Sequence, residues 1–322
     1  MRLTPPLTRR AALALPLAMA LNACSAGRPP LRRLVIATGG KGGVYYELGR
    51  ALAGHLHRQW GSDTEVRATA ASVENLKLVA DGMADVAFAS LDSVALAVAG
   101  LPPFTRPLPL SALAQIYDDY VQIVSLRGTS VDHLDDLSGH HVGVGAPGSG
   151  TELVANRVLG MARFSGLQRL HLSVADSVQA LVSGRIQAFF FSGGLPTPAI
   201  AGLSAAKPIH VIPLGEYVEI LQRRYQDVYV RKTIPAMTYN LSQGSVPTVG
   251  IHNLLVVNDR MDPGEAYWLT RVLFEARGEF AAAHAEAQHL HERTAIFTAP
   301  APLHPGAIRY YREVKSVSST TL

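Results

Sequence analysis

Cysteine is almost absent. Cys24 is the single one in 322 residues, so no intrachain disulfide and no cysteine-based zinc site can form. The chain has no H-E-x-x-H sequence. On a helix, His284, His289 and His291 would lie about 140° and about 200° apart, too far round to share a metal. His140-His141 and the His55-x-His57 pair read as surface or strand-edge residues, so no metal and no cofactor are expected. Charged residues make up only 17% of the chain, and no block of lysine and arginine suggests nucleic acid. Beyond position 23 no apolar run reaches 18–20 residues, which leaves the rest without a membrane span. With Cys24 outside the fold and no histidine in the glycine- or serine-rich blocks, the usual nucleophile–base pairs are missing, and enzymatic activity is not expected.

The richest stretch is 34–50. The apolar, β-branched run Leu34-Val35-Ile36 leads into Gly39, Gly40, Gly42 and Gly43 and then into a helix-compatible segment with Tyr45 and Tyr46. A strand that ends in a glycine loop and opens a helix leaves free N–H groups at the gap, where the helix dipole favours negative charge. The stretch therefore reads as an anion cradle with aromatic walls. It is not a phosphate loop, because Tyr45-Tyr46 stand where a Gly-Lys-Ser/Thr end would be needed. A second loop, Gly143-Val-Gly-Ala-Pro-Gly148, fits G-x-G-x-x-G, but the strand expected at 169–172 ends without the acid that a dinucleotide site requires.

The first 23 residues read as a secretion signal. Arg2, Arg9 and Arg10 precede an apolar run from Ala11 to Ala23 that is too short to span a bilayer. The run ends Leu21-Asn22-Ala23-Cys24, which resembles a bacterial lipobox and marks Cys24 for lipidation. Thr8-Arg9-Arg10 loosely resembles a twin-arginine signal, and the export route stays open between that and the general secretory path. Residues 24–32 read as a lipid-anchored tether, with a reach of at most about 35 Å. Three of the 29 basic residues and none of the 25 acidic ones lie in 1–23, so the remainder carries a net charge of only +1.

Short apolar strands alternate with amphipathic helices, the pattern of an α/β protein. Strands are expected at 34–37, 64–69, 86–89, 120–126, 141–145, 169–172 and 247–257. Helices are expected at 44–57, 72–81, 152–160 and from about 176 to 183. Gly82-Met-Ala-Asp-Val-Ala-Phe-Ala-Ser90 echoes Gly184-Arg-Ile-Gln-Ala-Phe-Phe-Phe-Ser192: helix-stop glycine, one turn, apolar strand, terminal serine. Two such units and two glycine loops predict two equivalent lobes with a ligand between them.

Several blocks, in this order and spacing, carry a family resemblance. They are Thr38-Gly-Gly-Lys-Gly-Gly-Val-Tyr-Tyr46, Ala71-Ser-Val-Glu-Asn75, Gly143 to Glu152, Phe189 to Ile200, Val246-Pro-Thr-Val-Gly-Ile251, His304-Pro-Gly-Ala307 and Arg309-Tyr-Tyr311. The chain resembles the TAXI subgroup of solute-binding proteins, the periplasmic receptors of tripartite (TRAP) secondary transporters. That resemblance implies a type II periplasmic-binding-protein fold with its ligand cleft between the lobes. Lobe 1 would be discontinuous, 33–126 and 246–322, and lobe 2 would be 127–245. It also implies a monomer on the periplasmic side of the envelope that hands a small carboxylate or amino acid, glutamate-like or a dicarboxylate, to TRAP membrane subunits. A lipid-anchored sensor accessory that presents the same ligand to a signalling receptor is the alternative.

Carried onto this sequence, the resemblance implies that the Thr38 hydroxyl and the backbone of Gly39, Gly40, Lys41, Gly42, Gly43 and Val44 bind a carboxylate. Tyr45 or Tyr46 would stack on the ligand or hydrogen-bond it. Ser72 and Asn75 would face the cleft, with a plain helix cap as the alternative for Ser72, and Ser90 would sit at its rim. From the other lobe come Gly148, Ser149 and Thr151, while Ser192, Gly193 and Gly194 close the second wall. Glu74 and Glu152 are expected to complement helix dipoles rather than touch ligand. Lys41 would favour a dicarboxylate if it points inward and would be solvated otherwise. Leu195 stands where the family often has tyrosine or histidine.

Overall fold

The computed structural model describes residues 33–225 and 228–320. The leader expected at 1–23, the lipidation site Cys24 and the tether to residue 32 lie outside the described residues. The chain opens with β1 (Arg33–Ala37), α1 (Val44–Trp60), β2 (Asp63–Arg67), α2 (Ser72–Ala80) and β3 (Val86–Ser90). The same order recurs as β5 (His141–Gly143), α4 (Gly150–Leu159), β6 (Gln168–Leu170), α5 (Val174–Val182) and β7 (Ala188–Gly193). In the first unit β1 pairs in parallel with β2 and β3, and in the second β5 pairs in parallel with β6 and β7. Both units thus have the strand order second–first–third, each with its glycine loop at the C-terminal end of its central strand.

The echoed blocks occupy equivalent places. Gly82 and Gly184 take φ +69° and +76°, the left-handed conformation that ends a helix without a Cβ penalty. Their N–H groups bond Val79 O and Leu181 O. Each block then runs into the third strand of its unit.

Two long strands join the units. β4 (Leu110–Leu126) and β10 (Val246–Asn258) run antiparallel from the Leu110/Asn258 pair to the Tyr120/Gly250 pair. Past that point they part: β4 continues alongside β7 and β8 (Ile209–Val211), and β10 alongside β9 (Tyr229–Ile234). The other end of β10 pairs with β3. The result is one ten-stranded sheet in which β10 and β4 lie between the strands of the first unit and those of the second. After β10 the chain stays on the first lobe through α8 (Pro263–Glu275), α9 (Arg277–Ala283) and α10 (Pro305–Thr320). There Leu48, Leu52 and Leu56, one face of α1 at i, i+4 spacing, share a core with Leu273, Phe280 and Ala307. Each such leucine contributes about 1.5–3 kcal/mol by its burial.

Several elements differ from expectation. α3 (Leu91–Ala99) follows β3 directly, where the sequence reading assigns nothing, and it ends at Gly100. β4 begins at Leu110, ten residues before the expected start. The acids Asp118 and Asp119 interrupt its apolar run, and only their cross-strand partners make a strand tolerable there. His284–His291 is not an α-helix: a 3-10 turn covers Ala285–His289. Among the described residues no helix is long and apolar enough to cross a membrane.

Candidate functional site

A cavity of about 180 Å³ lies between the lobes, below the range of about 300–1,000 Å³ usual for drug-sized ligands. Four helices begin at it; α2, which starts after Ala71, has its Val73 and Glu74 N–H groups taken up by Gly148 O, and the other three bear on the cavity. α1 starts after Gly43, α4 after Ser149 and α5 after Ser173. First-turn N–H groups have no acceptor within their own helix. The two first residues of each of these three, Val44 and Tyr45, Gly150 and Thr151, Val174 and Ala175, all line the cavity. Each helix start carries roughly half a positive charge, so three of them create an anion-attracting end, with Lys41 as the one lysine or arginine in the lining.

The caps hold these helices in place. Ser149 Oγ accepts from Glu152 N at 3.0 Å, and the Glu152 carboxylate accepts from Gly148 N at 2.8 Å. Ser173 Oγ accepts from Asp176 N at 3.2 Å. Ser173-Val-Ala-Asp176 is a capping pattern visible in the sequence. It moves the start of α5 two residues ahead of the expected Asp176, which brings Ser173, Val174 and Ala175 to the cavity. Likewise β6 ends at Leu170, leaving Leu172 in the lining loop.

The floor is the strand crossing. Asp119, 4% exposed, lines the cavity; Ser192 Oγ donates to one of its oxygens at 2.9 Å and Asn253 Nδ2 to the other at 2.7 Å. The Tyr45 hydroxyl donates to Asn253 Oδ1, and the Tyr45 ring stacks on Phe88 and meets Tyr117 edge-on. Burial pushes the Asp119 carboxyl up to about 7, and the donors Ser192, Asn253 and Tyr117 only partly offset that. Burial likewise raises the Tyr45 and Tyr117 phenols well above the ordinary tyrosine range.

The lobes touch around the cavity. Gly148 O of the second lobe accepts from Val73 N and Glu74 N, both at 3.1 Å, so the start of α2 is capped by the opposite lobe. A Cβ on Gly150 would lie 2.8 Å from Ser90 Oγ and 2.9 Å from Ser72 Oγ. Behind this contact Arg157 of α4 reaches Asp92 of α3 at 3.7 Å, and Tyr229 joins both, accepting from Arg157 at 2.6 Å and donating to Asp92 at 3.0 Å. Ala71, which lines the cavity, sits at φ +100°, a strained conformation for a side-chain-bearing residue of the kind that concentrates at ligand clamps.

The profile of the NMT1-like family matches residues 36–314. The chain belongs to the NMT1-like family. Its fold is that of periplasmic binding proteins. It is similar to the structure of a periplasmic transporter, with 11% identity and a TM-score of 0.55 over 89% of this chain and 94% of that one. It is also similar to the alkanesulfonate-binding protein SsuA of Xanthomonas axonopodis pv. citri bound to MOPS, at 16% identity and TM-score 0.52 over 89% and 85%. An ancestral arginine-binding protein bound to arginine matches at 15% identity and TM-score 0.50 over 79% and 97%. At these identities the likeness is one of fold.

Within this NMT1-like chain, the expected site residues divide. Gly39, Gly40, Lys41, Gly43, Val44, Tyr45, Ser72, Ser149, Thr151, Ser192 and Gly193 line the cavity. Thr38, Gly42, Tyr46, Asn75, Ser90, Gly148 and Gly194 do not. The Thr38 hydroxyl, expected on ligand, donates instead to Arg67 O at 2.8 Å. Asn75, wholly buried, spends its amide on Thr38 O and Phe88 O. Ser90 is bound up with Ser72 and Ser93. Gly148 lends its carbonyl to α2, and Gly194 packs against Glu286. Ser72 Oγ accepts from Ser90 N at 3.0 Å and does not cap its own helix. Glu74 reaches back to Ala70 N at 2.6 Å and stays off the cavity, as its dipole role implies. Lys41 is exposed at the mouth, and Leu195 is buried in the second lobe's core. The sequence reading misses Thr69, Tyr117, Asp119, Phe190 and Phe191 of the lining, and Asn253 behind it.

Proposed function

We propose that this protein is an extracytoplasmic solute-binding lipoprotein that captures a small carboxylate or amino acid between its lobes and delivers it to a membrane permease of the TRAP type. The observation that carries this reading is the convergence of three helix N-termini on one small interlobe cavity. Such a site binds an anionic head group through backbone N–H groups and excludes bulky cargo. The cycle is one of binding without chemistry. The lobes, 33–126 with 246–322 and 127–245, rotate about the crossing of β4 and β10, close on cargo and dock. Export and anchoring at the periplasmic face rest on the leader and Cys24.

A thermal-shift panel of amino acids, monocarboxylates and dicarboxylates tests the reading. Cargo at about 100 times its Kd should stabilise the protein by about 2.7 kcal/mol. No shift with any small carboxylate would refute carboxylate capture. Closure has its own check. Gly150→Val would drive a branched side chain into Ser72 and Ser90 and hold the lobes apart. It should weaken cargo binding by about a hundredfold, about 2.7 kcal/mol, with the isolated lobes still folded by circular dichroism. Unchanged calorimetric affinity would show that closure does not bring these surfaces together.

A further inference from the structure

Capture between the lobes leaves open what the cargo carries besides its carboxylate, and Asp119 bears on that question. Its carboxylate lies on the cavity floor, almost fully buried, and its hydrogen-bond donors are all neutral: Ser192 Oγ from the second lobe, Asn253 Nδ2 from β10 and the Tyr117 hydroxyl from its own strand. A carboxylate has about four acceptor sites, and these three donors leave one of them open. Among the described residues no lysine, arginine or histidine is paired with it. Lys232 and His252 are both taken by Asp118, which the strand's alternation puts on the opposite face, and Lys41, which shares the cavity lining, is exposed. The titratable groups packed around Asp119 are Tyr117 on its own strand, Tyr45 from α1 and Asp92 from α3, and none of them supplies positive charge. A buried anion without a counter-ion is costly, and here it faces a cavity whose other walls are helix N-termini.

The cavity is thus polarised, with N–H donors at one side and a carboxylate on the floor. We propose that its cargo is a zwitterionic aminocarboxylate, held by its carboxylate at the starts of α1, α4 and α5 and by its ammonium at Asp119. This rests on the solute-binding reading and narrows it. A dicarboxylate would set its second anion against Asp119. Lys41, exposed at the mouth, is not the residue that selects the cargo. Val44, Leu172, Val174, Phe190 and Phe191 complete an apolar lining suited to an uncharged side chain.

Acidity should act through the same group. An ammonium is attracted to the ionised carboxylate, and burial brings Asp119 to about 7. Affinity for an aminocarboxylate should therefore be full above that pH and fall roughly tenfold per unit below it. A carboxylate without an amine should lack this dependence.

Titration calorimetry on the purified protein with matched pairs tests the assignment: leucine against 4-methylpentanoate, 4-aminobutanoate against butanoate, glutamate against glutarate, each at pH 8 and pH 5.5. At pH 8 the amine-bearing member of at least one pair should bind at least tenfold more tightly. That preference should shrink at pH 5.5 and vanish in Asp119→Asn. If deaminated partners bind as tightly as the amino acids at pH 8, or if the folded variant keeps the preference, the ammonium assignment is wrong while carboxylate capture stands. If no compound binds, both fall. The wild-type pH comparison decides the matter even if the variant does not fold.

Discussion

Arg157→Met should lower the unfolding free energy by about 3–5 kcal/mol, the usual cost of breaking a buried ion pair by removing one partner. Asp92 has no exposed surface, and the Arg157 side chain is 9% exposed. With the guanidinium gone, Asp92 would keep only neutral donors, the Tyr229 hydroxyl and the N–H and hydroxyl of Ser93, an uncompensated charge in low dielectric. Methionine fills much of the same space, so the loss of charge rather than a cavity would dominate. Packing adds to the penalty, because the Arg157 guanidinium also lies 4.2 Å from the centre of the Tyr225 ring. Asp92→Asn/Arg157→Met should recover most of the loss, since neither charge is then stranded. Urea unfolding of the two variants measures both values; a single variant within 1 kcal/mol of wild type would mean that water reaches Asp92.

Asp119→Asn should change how stability depends on pH by about 4 kcal/mol. The folded-state value of about 7 lies well above the ordinary 3.8. Between those two values the folded protein holds a proton that the unfolded chain has released. Stability from this group is therefore present below about pH 4 and lost as pH rises to about 7. A gap of roughly three units at about 1.36 kcal/mol each gives the figure. The asparagine variant cannot ionise, so relative to wild type it should gain stability from pH 4 to pH 8. Melting curves of both proteins across that range check the sign. A gap that stays constant with pH would place the Asp119 carboxylate at an ordinary value, and one that widens in the wild type's favour would place it below that value.

Much of this was legible in the sequence because it was local. The glycine loop at 39–43, the β-branched strands and the paired helix-stop glycines each follow from backbone conformation, and the two-unit plan follows from their repetition. Ser149 and Thr151 were readable for the same reason, since a cap announces itself within four residues. What stayed hidden depends on partners far along the chain. Asp119 sits in an apolar strand and gains its place from Ser192 and Asn253, 73 and 134 positions away. Thr38, Asn75 and Ser90 look like ligand-binding polar residues at strand and helix ends, yet neighbouring elements in the first lobe consume their hydrogen bonds. Two acids inside a strand, Asp118 and Asp119, were the signal for the floor. A run so broken reads as a strand beginning after them.

Asp119 and Asn253 belong to the two strands at the crossing, so in the proposed binding mode the cargo's ammonium would be held at the fulcrum rather than at the jaws. Motion about a fulcrum grows with distance from it, and a small misfit at the floor becomes a large gap at the rim. A membrane partner that touches only the rim would then read the identity of the cargo as an angle, without contacting a single atom of it.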